Sequence, residues 1–331
     1  MRMDPVHIAL CCDLLYLQPL AVVIQSLVAT AHDPRRLHLW IMTDTRDAAR
    51  LEPAVGIARA AGARCTLLST HAADALLRRA PTHGHLSTAT YYRLFLPELL
   101  PVEVGRVIYL DTDIVVRQPI EELWDTDLEG HSLAAVQKPR AGEFGEVGLS
   151  RESDYFNAGV LLIDLPRWRK RRIGEAALEF ALHRSQRIQG HDQSALNHVL
   201  AGNWKRLDPR WNQQFKFFVH TAGYLRMNRA ELRELRRDPF IIHYTTASKP
   251  WHYLNDHPLR HCYYENLDRT PFAGWRPPPA APLDPLVRSL RSLVPHYLRP
   301  GVLRNVYRPH YHALKNRLPF ATRPHPVVSH E

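Results

Sequence analysis

Only four cysteines occur in 331 residues, Cys11, Cys12, Cys65 and Cys262, and no two of them form a CxxC pair. That spacing excludes the usual zinc ribbons and thioredoxin-like redox centres, and it fits a reduced, cytoplasmic compartment. No apolar run reaches the roughly 18 residues that a membrane span requires. The opening MRMDPVHIALCC carries one arginine but no uninterrupted apolar core and no small-residue cleavage site, so no secretory signal is read there. No repeat of fixed period is found. The first apolar run is followed by Cys12-Asp13-Leu14-Leu15 instead of GxGxxG, which removes the fingerprint of a dinucleotide-dependent oxidoreductase. A zinc-finger, KH or RRM signature is also missing, so the formal charge of +10 and the run Arg167-Trp168-Arg169-Lys170-Arg171-Arg172 stand without a nucleic-acid-binding motif, and no nucleic acid is expected as a partner.

What is present is an ordinary globular composition, 45% hydrophobic and 23% charged, in a chain long enough for one large α/β domain with an appendage. Apolar runs at His7–Cys12, Leu37–Met42 and Arg64–Leu68 read as strands. They alternate with helical spacing at Pro19–Ala31 and Asp47–Ala61. This βαβαβ order predicts a mainly parallel central sheet flanked by helices, with ligands bound beyond the carboxyl ends of the strands. Val107–Leu110, Ala158–Leu165 and Phe240–Tyr244 read as further buried strands, and Gly174–Ser185 and Asp192–Leu200 as helices. From Trp275 the composition turns to Pro-Pro-Pro-Ala-Ala-Pro, so a catalytic domain over 1–274 and a linker and tail over 275–331 are expected.

Asp111 and Asp113 emerge at the end of the strand Val107–Leu110, and positions i and i+2 of an extended segment face the same way. Two carboxylates so placed suit Mg²⁺ or Mn²⁺, although a lone Asp-x-Asp serves as readily as an Asx turn or helix cap. Four other segments accompany it in order: Thr90-Tyr91-Tyr92-Arg93-Leu94, Tyr155-Phe156-Asn157-Ala158-Gly159-Val160, His191-Asp192-Gln193, and His243 to Trp251 ending in Lys249-Pro250-Trp251. With LDTDIVV, FNAGVLLIDL, HDQSALN and HY…KPW in this order, the chain resembles glycosyltransferase family eight over roughly residues 6 to 270. That family includes bacterial lipopolysaccharide galactosyl- and glucosyltransferases and glycogenin.

The resemblance implies a GT-A type, Rossmann-like nucleotide-sugar-binding fold, a UDP-hexose donor, Mn²⁺ (with Mg²⁺ as the alternative) and transfer with retention of configuration. Carried over by position, Asp111, Asp113 and His243 are the metal ligands, and Thr112 lies in the nucleotide pocket. A histidine in the set tilts it toward manganese, since Mg²⁺ favours an all-oxygen shell. Lys249 and Arg93 correspond to cations on the diphosphate or nucleotide, and Asp13 to an acid near the uracil and ribose. Asn157, Asp192 and Gln193 line the sugar side, with Asp192 on donor hydroxyls and Gln193 nearest the anomeric carbon. The bland readings are a helix cap for Asp13 and Asp192, a helix-surface arginine for Arg93, a solvated loop lysine for Lys249 and a satisfied strand-end histidine for His243. The chain departs from the family at Leu15, where an asparagine is common, at Thr246, and at Lys138, where an acid often faces the sugar or acceptor. Lys138 fits an acidic or phosphorylated acceptor, or a solvated loop.

From Pro282 onward eight Lys or Arg face two acids, and Leu286, Leu290, Leu293 and Tyr297 share one helical face. Such a tail suits peripheral contact with an anionic membrane, here the inner face of the cytoplasmic membrane, or docking on the catalytic domain. The sequence thus predicts a metal-dependent retaining hexosyltransferase acting on a saccharide or glycolipid, lipopolysaccharide core first among them. A catalytically silent UDP-sugar binder and, behind it, a basic nucleic-acid-binding protein are the alternatives.

Overall fold

The computed structural model of the chain describes residues 4–71, 73, 88–183, 191–279 and 281–292. The chain divides into two units, Met1–Pro278 and Pro279–Glu331.

In the first unit β1 (Val6–Cys11), α1 (Leu17–Thr30), β2 (Leu37–Thr43), α2 (Glu52–Ala60) and β3 (Arg64–Ser69) form the βαβαβ start. The helical stretch read from Asp47 opens instead as a 3-10 segment, Thr45–Leu51, and becomes an α-helix only at Glu52, one residue before Pro53. There follow α3 (Leu96–Leu99), β4 (Arg106–Leu110), β5 (Ile114–Val116), α4 (Ile120–Trp124), β6 (Leu133–Gln137) and β7 (Phe156–Asp164). Next come α5 (Leu165–Arg171), α6 (Ile173–His183), α7 (His191–Leu200), β8 (Lys205–Arg206), β9 (Gln213–Gln214), α8 (Phe215–Val219), α9 (Ala222–Leu225), α10 (Arg229–Arg237), β10 (Ile241–His243) and α11 (Arg260–Leu267). Ser185, the expected end of α6, lies outside the described residues.

The main sheet runs β3-β2-β1-β4-β7-β6-β8. Strands β1 to β4 are parallel and β6 pairs β8 in parallel, but β7 runs antiparallel to both β4 and β6. The sheet is therefore mixed, and the reversal matters for the site. Because β7 runs backwards, its first residues lie at the same edge as the last residues of β4. A register shift between Ala135 and Val136 in the β6–β7 ladder leaves Asn157 opposite Val136, and bulges of this kind re-aim side chains beside active sites. β7 ends at Asp164, not Leu165, because the Asp164 carboxylate accepts the Arg167 N–H at 2.8 Å and caps α5.

Both faces of the sheet are covered, which is why β2 and β7 are apolar almost throughout instead of alternating. Leu20, Val23, Ile24 and Leu27 of α1 pack on one face with Leu39, Ile41 and Leu110. Trp168, Ala177 and Leu196 from α5, α6 and α7 pack on the other with Tyr109 and Leu161. Each large apolar side chain so buried contributes about 1.5–3 kcal/mol. The basic run forms the end of α5 and its cap: Arg167 pairs with Asp164, Arg169 donates to the carbonyl of Pro97, Arg171 to Ser132 and Arg172 pairs with Glu175, while Lys170 is exposed.

A second, three-stranded sheet, β5-β10-β9, was not anticipated as a separate layer. β5 is only three residues long and follows β4 after the three residues Asp111 to Asp113, too short to give a pattern of its own.

In the second unit the described part is α12 (Asp284–Ser292), whose apolar Leu286 and neighbouring Leu283 are exposed. Leu293 and Tyr297 of the expected stripe lie outside the described residues. Among the described residues no helix is long and apolar enough to cross a membrane.

Candidate active site

The two sheets meet at Asp111-Thr112-Asp113. Asp111 N–H donates to the carbonyl of Gly159 on β7 at 2.8 Å, and Tyr244 N–H donates to the carbonyl of Asp113 at 3.0 Å. The turn is thus pinned to the main sheet at one acid and to the small sheet at the other. In the β5–β10 ladder His243 stands opposite Ile114, which brings its imidazole to the acids across 130 residues of sequence. His243 Nε2 lies 3.2 Å from Asp113 Oδ1 and 3.7 Å from Asp111 Oδ2. A ligand atom from each of the three residues falls within 4.8 Å of the others.

Backbone donors fix which way the surrounding amides point. Gly159 N–H donates to Asn157 Oδ1 at 3.0 Å and Ala158 N–H to Gln193 Oε1 at 3.1 Å, which identifies both atoms as oxygens. Asn157 Nδ2 therefore donates to Gln193 Oε1 at 3.1 Å, and Asn212 Nδ2 donates to Asn157 Oδ1 at 2.8 Å. Asn212 then presents its oxygen to His243 Nδ1 at 2.9 Å, so Nδ1 carries a proton and Nε2 faces the carboxylates. With Nδ1 protonated, Nε2 meets the two carboxylates either as a second N–H donor or as a lone pair that shares a cation with them. Asn212 had escaped the sequence reading. It sits in a short 3-10 turn, Pro209–Asn212, and no local pattern marks it.

Lys249 Nζ bonds Asp113 Oδ2 and donates to the Tyr244 carbonyl at 2.7 Å. Burial opposes ionisation of Asp113, but Lys249 and His243 outweigh it and hold its carboxyl well below the usual range. Arg93 is buried, not on a helix surface. It lies 3.2 Å from Asp111 Oδ1 and 2.7 Å from Asp192 Oδ2, donates to the Ala158 carbonyl at 2.5 Å, and covers the Tyr109 ring at 4.6 Å. Burial alone would lower its pKa; Asp111 and Asp192 outweigh that and raise it. Tyr109 O–H donates to Asp111 Oδ1 at 2.9 Å, a further contact that the sequence did not signal. Asp192 is 4% exposed, and burial pushes its carboxyl up to about 6 against the pull of Arg93. Its Oδ2 is buried against Arg93, ion-paired but without an aligned hydrogen bond. Three carboxylates, Asp111, Asp113 and Asp192, face two permanent cations, Arg93 and Lys249, which leaves the centre short of positive charge.

A cleft of about 630 Å³ is lined by every residue singled out from the sequence: Asp13, Arg93, Asp111, Thr112, Asp113, Asn157, Asp192, Gln193, His243 and Lys249. Asp13 is at the rim, where its carboxylate accepts the Leu15 N–H at 3.0 Å, so the capping reading holds for it in this structure. Leu15 is 86% exposed, and Thr246 also lines the cleft. Lys138 lines it too, paired with Glu143 at 2.5 Å rather than solvated alone.

A sheet covered on both faces, an Asp-x-Asp turn at the carboxyl edge and a histidine delivered by a second sheet define a GT-A glycosyltransferase fold. The chain belongs to glycosyl transferase family 8, which it matches over residues 7–255. It is 34% identical to general stress protein A of Bacillus subtilis over 193 residues, 56% of this chain and 67% of the relative. It is 30% identical to lipopolysaccharide 1,2-glucosyltransferase of Escherichia coli over 227 residues, 66% of each chain. The chain spans about two thirds of the length of these curated relatives. Among solved structures, the galactosyltransferase LgtC in complex with donor and acceptor sugar analogs superposes with a TM-score of 0.66 at 26% identity, covering 81% of this chain and 96% of LgtC.

Proposed function

We propose that the protein is a retaining hexosyltransferase that moves glucose or galactose from a UDP-sugar to a saccharide acceptor, with lipopolysaccharide core or another glycolipid as the acceptor class. The observation that carries this reading is the convergence of Asp111, Asp113, His243 and Lys249 with Asp192, Gln193 and Asn157 in one cleft. It is supported by relatives named as a glucosyltransferase and a galactosyltransferase.

The donor set fits a divalent cation: two carboxylates and an imidazole whose Nε2 is turned toward them, in a centre short of positive charge. Asp111, Asp113 and His243 would hold Mn²⁺ or Mg²⁺, which when bound neutralises charge on the diphosphate of the departing UDP. Lys249, which bonds Asp113, adds a cationic donor for the same oxygens as the glycosidic bond breaks. Arg93 is assigned as a positioning residue that locks Asp111 and Asp192 in place, next to the donor. Asp192 binds donor-sugar hydroxyls. Thr112 and Asp13 line the nucleotide end.

Gln193 faces the anomeric carbon. Its Oε1 already accepts two N–H groups and its Nε2 donates to Tyr155 O–H at 3.3 Å, so the amide is clamped and poorly available as a nucleophile. Covalent glycosyl transfer normally uses a carboxylate. Front-face attack follows: the acceptor oxygen enters beside the leaving UDP, the C–O bond to UDP breaks, and the leaving phosphate takes the acceptor's proton. Gln193 and Asn157 stabilise the oxocarbenium-like centre. Wild-type turnover in Gln193→Ala, or a sugar ester trapped on Asp192, would exclude this course.

The catalytic domain is assigned to residues 1–274, with the Pro-rich, basic segment 275–331 making peripheral contact with an anionic membrane at its cytoplasmic face. Release from anionic liposomes on deleting residues 282–331 is the expected result, and unchanged binding would remove the membrane role. UDP release from UDP-glucose and UDP-galactose with Mn²⁺, abolished by EDTA, tests the activity itself. Binding of UDP-sugar without any release would favour a silent binder.

A further inference from the structure

Beyond Gln193 the cleft changes chemistry. Gln193 touches Tyr155, Lys138 Nζ lies 5.6 Å over the Tyr155 ring, and Lys138 pairs with Glu143. Lys216, on α8, reaches the same loop, donating to the carbonyls of Pro139 at 3.1 Å and Arg140 at 2.8 Å. Lys138, Glu143 and Lys216 all line the cleft. Through Tyr155 these lysines join Gln193, the sugar side of the proposed site, while α8, which carries Lys216, follows β9, whose Gln214 pairs with His243.

The charges here do not cancel. Lys138 takes Glu143, and Arg140 takes Glu152 at 3.4 Å. Among the described residues Lys216 has no carboxylate ion pair, only two carbonyls, and an ammonium has three N–H donors to satisfy. The bland alternative is a latch: Lys216 holds a turn in which Arg140 adopts φ 51°, in the left-handed region. A latch on carbonyls needs donors but no net charge. Burial and the neighbouring Lys138 push the Lys216 pKa down, and Glu143 and Glu152 offset this only in part.

We propose that Lys216, with Lys138 beside it, recognises an anionic group, a phosphate or a carboxylate, carried by the acceptor sugar. The proposal rests on the glycosyl-transfer reading only in taking this end of the cleft as the acceptor end. A charge-assisted hydrogen bond there corresponds to a preference of about tenfold or more over a neutral sugar.

The test is a saturation-transfer NMR titration of the full chain, loaded with UDP and diamagnetic Mg²⁺ to fill the diphosphate end. The probes are methyl β-glucoside, its 6-phosphate and methyl β-glucuronide. Expected is binding of one or both anionic sugars about tenfold tighter than the neutral one. The preference should disappear in Lys216→Gln, persist in Lys216→Arg and weaken in Lys138→Gln, which leaves the carbonyl latch intact. The phosphate and the carboxylate arms identify which anion is read. Equal affinities in the wild type, or a preference that survives both glutamine variants, would overturn the proposal. So would faster turnover of UDP-glucuronate than UDP-glucose with no discrimination among acceptors, because the anion would then belong to the donor. Failure of the transfer reading has a separate signature, no UDP release from any UDP-hexose, and the NMR preference still reports on the lysines.

Discussion

Replacing Gly159 with alanine probes the metal-ligand geometry most directly. A Cβ at Gly159 would sit 2.2 Å from His243 Cε1, 2.6 Å from Asp111 Oδ2 and 2.9 Å from His243 Nδ1, where ordinary contact begins at 3.4 Å. The imidazole would have to retreat by about 1 Å or more. It has little freedom to do so, since Nδ1 is tied to Asn212 and the ring is 3% exposed. Overpacking of this kind costs about 1–3 kcal/mol of stability. Displacing a reacting group by about 1 Å costs on the order of a hundredfold in rate. Gly159→Ala should therefore remain folded, with Tm lowered by about 2–10 °C. Mn²⁺-dependent UDP release should fall about a hundredfold, and the rise in Tm on adding Mn²⁺ should be lost. Gly174→Ala is the control, because its Cβ would meet the Leu94 carbonyl at 2.1 Å, in the packing of α6 rather than against His243. It should lower Tm comparably and keep the Mn²⁺ response. Wild-type turnover and an undiminished Mn²⁺ response in Gly159→Ala would refute the assignment of His243 and Asp111 to one cation.

Asn212→Ala removes the acceptor that fixes the His243 tautomer, and should weaken Mn²⁺ affinity about 10- to 100-fold in a titration read by thermal shift; unchanged affinity would count against that role. Asp113→Asn should abolish both the Mn²⁺ response and EDTA-sensitive UDP release, with any remaining donor binding detected by calorimetry. Asp192, raised to about 6 by burial, gains protons as pH falls through that value, so donor turnover should decline there, and Asp192→Asn should show a low rate without that limb. The stability sign is opposite. A carboxyl whose pKa is higher folded than unfolded loses stability as pH rises from its ordinary value to about 6, a slope that denaturant titrations of wild type and Asp192→Asn at pH 4 and 7 will separate.

Much of this was legible in the residues themselves. The alternation of apolar runs and helical spacing fixed β1 to β4 and the parallel half of the sheet, because both periods are local properties of the chain. Order and spacing of four motifs pointed to family 8, and each candidate site residue does line the cleft. Asp13 shows the limit of such reading, since a carboxylate beside a chain turn serves as cap and as ligand with the same sequence signature.

What the tertiary structure alone decided is how the pieces face one another. The backward run of β7, which puts Asn157 beside Asp111, depends on strand pairing between distant segments and leaves no trace in an apolar run buried on both faces. The strand that carries His243 was read from its apolar run, but its partners β5 and β9, of three and two residues, are too short to show a period, so the second sheet they form with it was not. Asn212 and Lys216 act through bonds to partners remote in sequence, so only their meeting in space reveals them. The sequence by itself determined the chemical groups and the type of fold; which nitrogen of His243 faces Asp111 and Asp113, and which cations remain unpaired in the cleft, followed from long-range packing.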